Sequence, residues 1–209
     1  KSITLDVTKP EGAALLRRLV PQVNAVIESY EPGFMEEHGL GYDTLRTLNP
    51  SLVMTSITPF GQTGPYSKWK ASELISYAVG GYAHLTGLPE REPLKSYGHI
   101  IEYHTGVHAA VATLGALWRS SLTGISDYID VSIQAATAYV VDQPPLRYRR
   151  TGNMEARVGS RNSSAQPPPG YFSELLPCAD GYMHVHSSTS RAKPTSISDL
   201  IGDPQWNDY

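Results

Sequence analysis

The 209-residue sequence predicts an α/β protein built on a parallel, doubly wound sheet. Short apolar runs with strand character alternate with segments of helical period, and the alternation recurs along the chain. Pro, Gly and Asn punctuate the joins. The composition is that of a globular chain with enough residues for one good core: 40% hydrophobic, 18% charged and 9% aromatic residues. Lys and Arg number 17 against 20 Asp and Glu, a net charge of −3 with no basic block, so a nucleic-acid-binding surface is not expected.

Ile3 to Val7 alternates apolar and polar residues as a half-buried strand does. Thr8 is the expected N-cap of a helix with Pro10 in its first turn, running to about Val20. Its Ala14, Leu15, Leu16, Leu19 and Val20 share one face, and Pro21 stops it. Val23 to Ile27 reads as a buried strand, which completes a β-α-β unit. Tyr42 to Leu48 is a short helix closed by Asn49-Pro50, and Leu52 to Ile57 is the next strand. In a sheet of this kind the loops leaving the strands' carboxyl ends, Glu28 to Gly33 and Thr58 to Pro65, line the ligand crevice.

Helices follow over Ser72 to Gly87 and Glu102 to Ser121, the second rich in small residues and expected to be buried on most sides. Tyr128 to Ser132 is a strand leading into a helix from Ile133 to about Asp142. From Arg147 to Gly170 the chain is polar and loaded with Gly, Pro and Ser, which predicts a long loop or linker. Gly181 to Ser187 alternates as a strand, and Ile197 to Ile201 belongs to a last helix.

The longest apolar run, Ala109 to Trp118, falls far short of the roughly 20 residues that cross a bilayer, so no membrane span is expected. The single cysteine, Cys178, points to a reducing, cytoplasmic compartment. The first residues lack the apolar stretch of a secretion signal and read as the middle of a longer chain.

Glu102 opens the small-residue helix, where a carboxylate gains from the helix dipole. It is either a plain helix-start acid or a nucleophile or base held by free backbone N–H groups. His104 and His108 lie four apart beside it, but no HExxH and no paired-cysteine cluster accompanies them, so no metal is expected. There is no G-x-S-x-G elbow and no phosphate-binding P-loop. Phe60 to Pro65 lacks the three-glycine dinucleotide spacing.

Several segments, in order, resemble the class III CoA-transferases, the CaiB/BaiF family. They are SITLDVTKPEGAALLRRLV, AVIESYEPGFMEEHGLGYDTLRTLNPSLVMTSITPFGQTGPY, ELISYAVGG, LTGISDYIDVSIQAA and LPCADGY. The resemblance implies a Rossmann-like sheet in a homodimer of interlocked chains acting on acyl-CoA and a small carboxylic acid, with coenzyme A as substrate. It implies a large-domain segment over 1–146, a linker over 147–170 and the start of a smaller domain over 171–209. The family's nucleophilic Asp corresponds to Glu102, whose extra methylene displaces the carboxylate by about 1.5 Å, a misplacement large enough to matter for catalysis.

Glu73 falls where some members carry an acidic residue near the active site; otherwise it is a first-turn helix acid capped by Ser72. The family's E-N-F-R-P-G loop is here Glu28 to Gly33, where Ser29 offers a hydrogen bond and Tyr30 a ring to stack on adenine. Glu37 and His38 replace an Arg-Met pair of the CoA site, and Lys70 retains a family lysine as either a phosphate partner or a solvated surface cation. The implied activity is CoA transfer. Its alternatives are a non-catalytic CoA-binding or dimer-supporting half and, less favoured because Ser72 replaces the racemase His, an α-methylacyl-CoA racemase-type isomerase.

Overall fold

The computed structural model describes residues 2–141, 143–154, 156, 157, 159, 173–186 and 202. The chain divides into two compact units, one of Lys1–Tyr82 with Ser96–Asp142, the other of Ala83–Lys95 with Gln143–Tyr209. Among the described residues no helix is long and apolar enough to cross a membrane.

The first unit begins with α1 (Pro10–Leu19), a 3-10 turn at Val20–Gln22, β1 (Ala25–Glu28), α2 (Phe34–Glu37), α3 (Tyr42–Leu48) and β2 (Val53–Thr58). It continues through α4 (Glu73–Val79) to Tyr82, the first residue of α5 (Tyr82–Leu85), whose other residues belong to the second unit, and resumes with α6 (Ile100–Thr123), β3 (Asp127–Ser132) and α7 (Ile133–Val140). The strands form one parallel sheet in the order β1-β2-β3. Successive strand residues face opposite sides, and β2 shows both. Met54 joins Ala13, Val20, Met35, Leu40, Leu45 and Leu52 in the core under α1 to α3. Its neighbour Thr55 meets Thr113 of α6, Oγ1 to Oγ1, at 2.7 Å. Helices therefore cover both faces, which is the doubly wound arrangement the alternation predicts.

The second unit carries α8 (Gln143–Thr151) and an antiparallel hairpin of β4 (Ser173–Cys178) and β5 (Gly181–His186), with Cys178 beside Gly181 at the turn. The Gly159 amide donates to the Gly87 carbonyl at 3.1 Å within this unit.

Several expectations are corrected. Ile3 to Val7 forms no strand: Ile3 stays exposed, and the segment turns across the start of α1. The Asp6 carbonyl sits so close to Gly12 that any Cβ there would collide with it, at 1.9 Å. Thr8 is not the N-cap; Lys9 holds that place, while the Thr8 hydroxyl and amide both donate to the Asp6 carboxylate. Those bonds hold the Asp6 carboxyl below its ordinary value. The strand read as buried over Val23 to Ile27 is β1, which among the described residues pairs with β2 alone and leaves Ile27 61% exposed.

The helix expected over Ser72 to Gly87 breaks after Val79, since Gly81 adopts φ +100° and redirects the chain into α5. α6 is buried along one stripe only, Ile101, Thr105, Ala109, Thr113 and Ser120. Its opposite face leaves Tyr103, Val107, Val111, Leu114, Trp118 and Leu122 exposed in the single chain. The expected linker from Arg147 begins as helix, because α8 runs to Thr151 before Gly152 ends it. The rest of that stretch lies largely outside the described residues, as do Ser187 and the helix expected at Ile197 to Ile201.

Candidate active site

The start of α6 is a 24-residue helix's N-terminus, and its first amides have no partner within the helix. His99 stands at the N-cap without a side-chain cap bond. Glu73, the first residue of α4, closes the end instead: its Oε1 accepts the Ile101 amide at 3.1 Å and its Oε2 the Glu102 amide at 3.2 Å. The Glu73 residue is 9% exposed. Ser72 caps α4 by accepting the Ile75 amide at 3.4 Å, so Glu73 is a first-turn acid, and its carboxylate also lies against the Glu102 amide.

Glu102 itself is half exposed, and its Oε2 lies 3.0 Å from His99 Nδ1. A carboxylate thus projects from a helix start with an imidazole beside it, an arrangement suited to nucleophilic attack on an electrophilic carbonyl. His104 and His108 do not join it; the His108 ring meets Tyr139 edge-on at 5.2 Å. The ligand atoms that do converge belong to Glu73, His99 and Glu102, all within 4.8 Å of one another. Both Glu73 oxygens are taken by α6 amides, which closes the helix end, and Glu102 Oε2 is taken by His99.

The second group of predicted residues gathers on the loop after β1. Tyr30 stacks on Phe34 with ring centroids 4.2 Å apart, and Phe34 meets His38 edge-on at 4.5 Å. Ser29 is exposed on the same loop, and Lys70 Nζ reaches Glu31 Oε1 at 3.6 Å. That ion pair is solvent-exposed and contributes little stability. Gly33, at φ +91°, turns the loop into α2, a conformation that a side chain would strain.

Beneath this loop the three strand ends carry polar residues in register, with Glu28 beside Ser56 and Ser56 beside Asp130. Burial pushes the Glu28 carboxyl above its ordinary value, against the Ser56 hydroxyl and Tyr30 amide that favour its ionised form. Glu36 and Asp130 add like-charge repulsion. Burial also raises the Tyr128 hydroxyl, which donates to Ser56 at 3.0 Å. Asp130 accepts the Gln62 amide at 2.9 Å and so anchors the loop after β2.

Sequence reasoning missed His99, Glu28, Ser56 and Asp130. His99 had a local signal, its spacing of three from Glu102 on one helical face. Glu28 had a weaker one, an acid closing a strand at the crevice.

The chain spans about half the length of the curated relatives it matches. It is 34% identical over 205 residues to the succinyl-CoA–D-citramalate CoA-transferase of Chloroflexus aurantiacus, an alignment covering 98% of this chain and 50% of that protein. It is 33% identical over 183 residues to the succinate–glutarate CoA-transferase of Agrobacterium fabrum, covering 88% of this chain and 44% of the relative. A crystal structure of a CaiB/BaiF family protein from Brucella suis superposes with a TM-score of 0.80 at 31% identity, over 97% of this chain and 52% of that one. The family model described as CoA-transferase family III matches residues 1–209. With the parallel sheet and the acid-bearing helix start in place, the whole-length match settles the assignment: the chain belongs to CoA-transferase family III.

Proposed function

We propose that this chain moves CoA between an acyl-CoA thioester and a carboxylic acid, with Glu102 as nucleophile. The observation that carries this reading is the Glu102 carboxylate at the start of α6, half exposed and flanked by His99 and Glu73. The carboxylate attacks the thioester carbonyl, the C–S bond breaks, and the CoA thiolate leaves behind an acyl–Glu102 anhydride. The thiolate then attacks the Glu102 carbonyl, which releases the first acid and leaves CoA on Glu102 as a thioester. The acceptor carboxylate attacks that thioester and expels the thiolate to form a second anhydride. Attack of the thiolate on the acceptor's acyl carbon yields the new acyl-CoA and frees Glu102.

In this reading Ser29, Tyr30, His38 and Lys70 bind CoA, and Glu73 holds the Glu102 backbone in place. The names of the relatives pair succinyl-CoA with D-citramalate and succinate with glutarate, which supports a small dicarboxylic acid as acceptor. The same reading includes an interlocked homodimer, supported by the exposed apolar face of α6, and a smaller domain starting at 171–209. It also places the protein in the cytoplasm, on the single cysteine.

Incubation of the full-length protein with succinyl-CoA followed by borohydride or hydroxylamine should mark Glu102 in peptide mass spectra, and Glu102→Gln should abolish exchange with labelled succinate. Exchange that persists in Glu102→Gln with Glu102 unmodified overturns the assignment. A second reading, a CoA-binding half without chemistry, is favoured by the Glu102–His99 pairing and by Glu where the family carries Asp. It predicts CoA binding with no exchange at all.

A further inference from the structure

The strand ends hold a chain of hydrogen bonds that the transfer steps do not use. The Tyr128 hydroxyl on β3 donates to Ser56 Oγ on β2 at 3.0 Å, and the Ser56 hydroxyl bonds the Glu28 carboxylate on β1. Glu28 Oε2 accepts the Tyr30 amide at 2.7 Å. Glu28 and Ser56 are both buried, where a carboxylate is costly unless its oxygens are used. The group held at the far end is the backbone of Tyr30, whose ring packs one face on Phe34 while remaining 46% exposed.

We propose that Glu28 is a positioning residue for Tyr30: the Tyr128–Ser56–Glu28 chain fixes the loop after β1 so that the Tyr30 ring is set to stack on the adenine of CoA. The proposal rests on the CoA-transfer reading and deepens it by assigning what orders the nucleotide end of that site. The ionised carboxylate is the stronger acceptor for the Tyr30 amide. The groups facing Glu28 are Glu36 on α2, Ser56 on β2, and Tyr128 and Asp130 on β3. Burial and the two neighbouring carboxylates make Glu28 titrate above the ordinary glutamate range, so adenine affinity falls as pH is lowered through that titration.

The test is calorimetric binding of dephospho-CoA, whose diester phosphates do not titrate between about pH 5 and about pH 8, to the full-length protein. Tyr30→Leu should weaken binding roughly tenfold by loss of stacking. Glu28→Gln should weaken it roughly fivefold and flatten the pH dependence. The double variant should bind as Tyr30→Leu alone does, because Glu28 acts through Tyr30. Tyr128→Phe removes only one hydroxyl at the other end of the chain and should weaken binding in the same direction, with no effect in the Tyr30→Leu background. Additive losses, or a Glu28→Gln protein with wild-type affinity and pH profile, overturn the positioning role alone. A wild-type protein that binds no dephospho-CoA overturns the CoA reading with it.

Discussion

Removing the Glu73 carboxylate uncaps α6, and the structure sets the size of the loss. Glu73→Ala deletes the acceptors of two amides, bonds of 3.1 and 3.2 Å. Ile101 is fully buried, so water cannot replace its lost partner, and an unsatisfied buried amide costs about 1–3 kcal/mol. The Glu102 amide lies nearer solvent, where the net loss is about 0.5–1.5 kcal/mol. The dipole of α6 adds to both. A total near 3 kcal/mol corresponds to a fall in Tm of about 6–12 °C for a chain of this length. Glu73→Gln keeps one neutral acceptor oxygen and should lose about half as much. Thermal unfolding followed by circular dichroism reads the Tm, and hydrogen exchange at Ile101 and Glu102 localises the effect. A Glu73→Ala protein with wild-type Tm and unchanged exchange at those two amides refutes the capping role.

Two further outcomes follow from buried polar groups. The Glu28 carboxyl is raised in the fold above its reference of 4.5, so the native state holds this proton more tightly than the unfolded chain. Stability from this group is full below that reference and is lost as pH rises toward the folded value. Glu28→Gln lacks the slope, and its Tm relative to wild type should climb from acid to neutral pH; a flat or falling difference contradicts it. Between β2 and α6, Thr113 donates to the Ala109 carbonyl at 2.7 Å, which leaves Thr55 as donor in the threonine pair. Thr55→Val should cost about 1–2 kcal/mol in urea titrations, and Thr55→Val with Thr113→Val less than the sum of the single changes; strict additivity would show the pair to be uncoupled.

Local pattern was a good guide wherever an element depends on its own residues. Tyr42 to Leu48 is helical over the predicted span because Asn49-Pro50 ends it, and β2 and β3 lie within one residue of their predicted starts. It misled where a partner decides. Ile3 to Val7 alternates like a strand, yet a strand needs a neighbour to pair with, and Asp6 turns the chain toward Thr8 instead. The apolar residues of α6 imply burial, but a helix side lying away from the sheet stays exposed in a single chain.

The candidate site divides in the same way. Helix-start chemistry and the ordered family segments were enough to single out Glu102, Glu73, Tyr30 and Lys70 from residue type and place in the chain. That Glu73 closes the helix carrying Glu102 is a contact between residues 29 apart, created when α4 and α6 pack together. Glu28, Ser56 and Asp130 become neighbours only through the parallel register of three strands drawn from distant parts of the chain. Periodicity and capping are written into short windows of sequence because they depend on backbone geometry a few residues long. Which buried carboxylate meets which amide depends on long-range pairing, and only the folded sheet supplies it.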